Sequence, residues 1–111
     1  MIHVKKVLPE YFEALRNGSK RFELRREDPD DPCYAVGDYL ALNEIDPERQ
    51  AEPSEMYTGR CLVFEITYVL REREWLAPGC AALSLAPTAL SLGASDLSRL
   101  LLPVGEEGDW T

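Results

Sequence analysis

Apolar and polar positions alternate from Ile2 to Val7, recur at helical spacing from Leu8 to Leu15, and alternate again from Arg21 to Arg26. A period of two predicts a half-buried strand and a period of 3.6 an amphipathic helix, so the chain opens as strand, short helix, strand. In the first strand Ile2 and Val4 share one face and His3 and Lys5 the other. The helix, Pro9 to Asn17, has Pro at its first position, where a missing N–H costs nothing. Glu10 and Glu13 lie near its positive end and Arg16 near its negative end. Leu8, Phe12 and Leu15 form its apolar stripe with Tyr11 beside it; a helix this short holds only by packing that stripe on a sheet. Gly18 suits the left-handed residue that stops a helix. Beyond it, Phe22 and Leu24 are expected to face the core, with Arg21, Glu23 and Arg25 on the opposite, polar face.

Glu27 to Tyr34 holds two prolines and four acids and reads as an exposed loop, without the Gly and distal Glu of a calcium loop. Val36-Gly37-Asp38 is a turn into a strand from Tyr39 to Ile45, with Leu40 and Leu42 on one face. Asp46 to Tyr57 is a polar connection, of a length often found in lids. After Thr58-Gly59-Arg60, the run Cys61 to Leu70 is the longest strand candidate and is expected to be central, with Leu62, Phe64, Ile66, Tyr68 and Leu70 on one face. A loop bearing Trp75 precedes a last strand, Cys80 to Leu85. With no helix between most strands, a doubly wound parallel fold is excluded and a small α+β mixed β-barrel is predicted. Residues 1–86 form the domain and 87–111 a C-terminal extension. Within the extension, Ser95 to Leu102 has the capping and apolar content of a short helix, followed by a loose acidic tail.

Composition narrows the class. The 111 residues, 45% apolar, suffice for one modest core. No leader-like or bilayer-length apolar run is present, and Cys33, Cys61 and Cys80 are odd in number and widely spaced. A cytoplasmic protein with reduced thiols, no membrane partner, no metal and no cofactor is expected. Net charge is −8, yet residues 1–26 hold seven Lys/Arg against three Glu, a net of +4, so the remaining 85 residues carry −12. A small cationic site on an acidic body suits one or a few phosphates rather than a long duplex. His3 beside Lys5 fits a hydrogen-bond donor to an anionic ligand better than a metal ligand, there being no second ligand at suitable spacing.

Taken together, His3-Val-Lys5, Pro9-x-x-Phe12, Gly18-x-Lys20-x-x-Glu23-x-Arg25-x-x-Asp28, Val36-Gly37-Asp38, Glu44-x-Asp46-Pro47 and Tyr57-Thr58-Gly59-Arg60 resemble the DUF3850 family of phage and bacterial proteins. That family belongs to the ASCH group of the PUA-like superfamily. The resemblance runs from Ile2 to about Leu85. It implies a PUA-like barrel with a cleft beside the first helix that binds RNA or a modified nucleoside, lined by His3, Lys5, Lys20, Glu23 and Arg25. Val4 stands where the family motif commonly has Leu, and the acids around Asp30 lengthen the following loop.

Three function classes follow. The first is a module binding RNA or a nucleotide through Lys5, Lys20 and Arg25, with Glu23 reading a base or ribose donor. The second is a hydrolase of a modified nucleoside, or a ribonuclease, using Lys20 and Glu23. Relatives acting on N4-acetylcytidine place a Thr nucleophile three residues after the Lys; Glu23 occupies that position here and cannot form the ester, leaving it the role of general base. The third is a phage regulatory protein that binds a protein partner.

Overall fold

The computed structural model describes residues 1–49 and 52–88. Its elements are β1 (Ile2–Val7), α1 (Pro9–Asn17), β2 (Phe22–Arg26), β3 (Tyr39–Ile45), a 3-10 turn (Pro53–Met56), β4 (Tyr57–Leu70) and β5 (Cys80–Pro87). The strands form one sheet in the order β1-β3-β4-β5-β2. β1 lies parallel to β3 and every other neighbouring pair is antiparallel, so the sheet is mixed, as expected. It curls into a half-barrel. The 3-10 turn carries no period that the sequence reveals.

The concave face carries the core. Val7, Leu40, Leu42, Phe64, Ile66, Leu83 and Leu85 from the strands meet Phe12 and Leu15 from α1. The helix spans its predicted bounds and ends at Gly18, whose φ of 86° is left-handed. The N–H groups of Gly18 and Lys20 return to the carbonyls of Leu15 and Ala14, at 3.3 and 3.0 Å, which fixes the chain as it enters β2.

Three facings differ from the sequence-based expectation. β2 is reversed: Phe22 and Leu24 are 50% and 47% exposed, while Glu23 and Arg25 are buried at 0% and 1%. The reason lies in β5, where Glu23 pairs with Leu83 and Arg25 with Ala81, both on the concave face. The two charges are tolerated there because they neutralise each other. In β1 the side bearing His3 and Val7 is buried, whereas Ile2 is exposed. In β4 a bulge between Ile66 and Tyr68 adds one residue, so Tyr68 and Leu70 turn outward and Val69 inward.

β4 is the middle strand of the sheet, as predicted, but β3 is the more deeply buried, with Leu40 to Ile45 enclosed on both faces. The acidic loop is exposed from residue 28 to 33 but anchors at Tyr34, 4% exposed. Arg71 holds that anchor, donating to both oxygens of Glu27, at 2.6 and 2.8 Å, and to the carbonyl of Tyr34 at 2.7 Å. The three cysteines are free thiols. Burial pushes the Cys61 thiol up to about 11, which keeps it protonated and unreactive. Among the described residues no helix is long and apolar enough to cross a membrane. The helix and tail expected beyond residue 88 lie outside the described residues.

Candidate functional site

Glu23 is the centre of a chain of polar groups that crosses the half-barrel. Its Oε1 receives a hydrogen bond from Lys20 Nζ, and its Oε2 one from Arg25 Nε at 2.8 Å. Arg25 Nη2 in turn donates to the backbone carbonyl of Lys6 on β1, at 2.8 Å. Among the described residues β1 and β2 are the two edges of the sheet, so this side chain bridges the seam that their backbone pairing leaves open. Both oxygens of Glu23 are therefore committed.

Lys20 is the outer end of the chain. Its backbone is tied to α1 and its side chain is 13% exposed. The ammonium lies 5.0 Å from the ring centre of Tyr11 and 5.4 Å from that of Phe22, both within the range of cation–π attraction. The sequence pattern presents Lys20 as a cation without a partner; the structure gives it Glu23 and two aromatic neighbours instead.

His3 and Lys5 lie along the same seam in a second cluster. His3 Nε2 and Asp38 Oδ2 are 2.8 Å apart, and the hydrogen bond from His3 holds the Asp38 carboxyl below its ordinary value of 3.8. Asp38 also accepts from the Ala35 N–H at 3.1 Å, so the turn at Gly37 is what aims it at β1. The His3 ring sits 4.6 Å from the Tyr34 ring. Lys5 lies 6.0 Å from the Tyr34 ring centre and 3.7 Å from a carboxylate oxygen of Asp31. Of the five sequence-predicted residues, Lys20, Glu23 and Arg25 form one connected unit, while His3 contacts Asp38 of the turn and Tyr34, and Lys5 contacts Asp31 and Tyr34 of the acidic loop.

A third cluster binds α1 to the sheet. Arg60 donates to both oxygens of Glu44, at 2.8 and 2.7 Å, reaches Glu13 on α1 at 2.8 Å, and stacks 4.4 Å over Phe12. Thr58 Oγ1 adds a 2.6 Å hydrogen bond to Glu44. Arg60 and Thr58 hold the Glu44 carboxyl below its ordinary value of 4.5. This clamp sets the position of the helix from which Lys20 departs.

Residue spacing does not bring Tyr11, Tyr34 and Asp38 into the site. Tyr11 flanks the helix stripe and Asp38 belongs to a turn motif; the only local signal for either is an aromatic or carboxylate beside an otherwise structural residue. Among the described residues no group of three or more His, Cys, Asp or Glu could hold a metal ion.

No curated protein matches the chain. The family model described as "Domain of unknown function (DUF3850)" matches residues 2–85, a span that takes in α1, all of β1 to β4 and most of β5. With the match covering most of the sequence and every residue of the clusters above, the chain belongs to the DUF3850 family.

Proposed function

We propose that the chain is an RNA- or nucleotide-binding module whose contact surface centres on Lys20, with His3 and Lys5 along the adjoining seam and buried Arg25 behind it, holding Glu23. The observation that carries this reading is the commitment of Glu23. A carboxylate with each oxygen on a cation, and no exposed surface, serves to orient Lys20 and Arg25 and is closed to an incoming water. That favours binding over general-base hydrolysis. A lysine oriented from behind and flanked by Tyr11 and by half-exposed Phe22 is the combination that single-stranded nucleic acid uses, a charge for phosphate and a ring for a base. The resemblance to the ASCH group and its PUA-like relatives supports the same ligand class. Glu23 then acts as a positioning residue rather than a reader of base or ribose donors.

Fluorescence anisotropy with short labelled single-stranded RNA tests the reading. Binding by the wild type should weaken as salt rises and fall by about tenfold in Lys20→Gln, the loss of one charged hydrogen bond. Circular dichroism should show the variant folded, since Arg25 still holds Glu23. Absence of binding to RNA and to mononucleotides, or affinity unchanged in Lys20→Gln, would exclude it.

A further inference from the structure

A groove of about 380 Å³ opens at the C-terminal end of α1, between the helix stop and strands β4 and β5. Its floor is apolar, made by Leu15, Leu62, Phe64 and Leu85, and its rim carries Lys20 and Arg21. We infer that this groove is a mononucleotide subsite, in which the floor receives the base and Arg21 takes the phosphate. The inference rests on the nucleotide-binding reading given above and adds to it a place for the base and a residue outside the five.

Charge points to Arg21. The cationic surplus of residues 1–26 is largely paired within the chain, with Lys5 on Asp31, Arg16 on Glu13, and Lys20 and Arg25 on Glu23. Arg21 has no carboxylate contact among the described residues; its Nε donates to the carbonyl of Gly18 at 3.2 Å. That single bond orients the guanidinium across the helix stop and leaves its remaining N–H groups as donors. Gly18 makes the approach possible: a Cβ there would lie 3.3 Å from Arg21 Nη2. A guanidinium held by a neutral carbonyl at the mouth of a groove keeps its full charge for an anion.

The groove also selects for a flat polar-edged group over an alkyl chain. Its helix side ends in Asn17, whose side-chain oxygen accepts from the Ser19 N–H at 2.9 Å, leaving the amide nitrogen as a donor. The last-turn carbonyls of α1 lie on the same side, and those of Ala14 and Leu15 are already taken. A nucleobase can meet such groups along its edge while its faces contact the leucines. A fatty acid would satisfy Arg21 but make no use of the polar edge. The volume lies at the lower end of the roughly 300–1,000 Å³ of small-molecule pockets, matching one nucleotide unit rather than a helix of nucleic acid.

The test uses the full chain, with nucleoside monophosphates, the parent nucleosides, a single-stranded RNA oligonucleotide and decanoate as probes. Binding is measured by calorimetry and mapped by amide chemical shifts. A monophosphate should shift the amides of Asn17, Gly18, Arg21, Leu62 and Leu85. Its affinity should fall by about 10- to 100-fold in Arg21→Ala, the loss of a charge-assisted bidentate contact, with partial recovery in Arg21→Lys. Nucleoside binding should change little in either variant. The oligonucleotide distinguishes a free nucleotide from one unit of a strand: both sources require the Arg21 effect, and the tighter probe names the source. RNA or monophosphate binding that is indifferent to Arg21, or that maps to the Tyr34 seam, would overturn the subsite while leaving the nucleotide-binding reading intact. Preference for decanoate over every monophosphate would also overturn it. A chain that binds neither RNA nor nucleotide would remove both.

Discussion

Arg25 reaches from β2 to the backbone carbonyl of Lys6 on β1 at 2.8 Å, so the two edges of the sheet are joined through a side chain rather than a backbone ladder. The same guanidinium holds Glu23, which holds Lys20. Closure of the half-barrel and presentation of the surface lysine are thus one structural event.

The first prediction concerns the facing of β2. Phe22→Ala removes a ring that is half exposed and should cost about 1 kcal/mol. Glu23→Gln leaves Arg25 buried without its counter-charge and should cost about 3 kcal/mol. Urea titration of both variants checks the order; a larger loss at Phe22 would mean that β2 faces the other way.

Gly18→Ala should destabilise by about 1–2 kcal/mol, because φ of 86° disfavours any residue with a Cβ. The added methyl also crowds Arg21 Nη2, so monophosphate affinity should drop with stability. Thermal unfolding and calorimetry on the same variant separate the two effects.

Arg60→Lys keeps the charge but loses the two-pronged contact with Glu44 and the stacking on Phe12. Because Arg60 is 45% exposed, the loss is screened and should lower the denaturant midpoint less than Glu23→Gln does. Denaturant titration measures it.

Acid should weaken the fold through the Glu44 carboxyl. Arg60 and Thr58 lower its affinity for protons in the folded state, so the unfolded chain binds a proton more readily. The stabilisation is complete above the ordinary value of 4.5 and is lost as pH falls below it toward the lower folded value. Asp38 and Glu27 act in the same direction, through His3 and Arg71 respectively. Urea midpoints measured from pH 7 down to pH 3 should fall for the wild type and fall less steeply for Glu44→Gln.

The elements were readable because their signals are local. Pro9, the Leu8-Phe12-Leu15 stripe and Gly18 mark both ends of α1, and apolar alternation marks the strands except for the start of β4, which begins at Tyr57, four residues before the expected Cys61, in a stretch with no alternation. Which face of β2 turns inward was not readable, because Phe22-Glu23-Leu24-Arg25 alternates equally well either way. The decision belongs to Ala81 and Leu83, some sixty residues later, and to the mutual neutralisation of Lys20, Glu23 and Arg25. The bulge at Thr67 left no mark in composition, and it inverted Tyr68 and Leu70. Charge clustering in the first 26 residues singled out the cations of the cluster but overstated its cationic character, since their partners arrive from elsewhere in the chain, as Asp31 does for Lys5, or from the same buried face of the strand, as Glu23 does for Arg25.

The strand order has a bearing on how the chain is made. β2 is the second strand to leave a ribosome, yet among the described residues its one partner is β5, the last strand there. Until residue 87 has emerged, Glu23 and Arg25 have no sheet to enter and stay hydrated, while β1, β3 and β4 can already pair. Chain growth at roughly 5–20 residues per second makes that wait one of several seconds. Dehydration of the charged unit therefore waits on β5, and a nascent chain halted before β5 would display the reversed face of β2, acid and guanidinium outward, to whatever it meets.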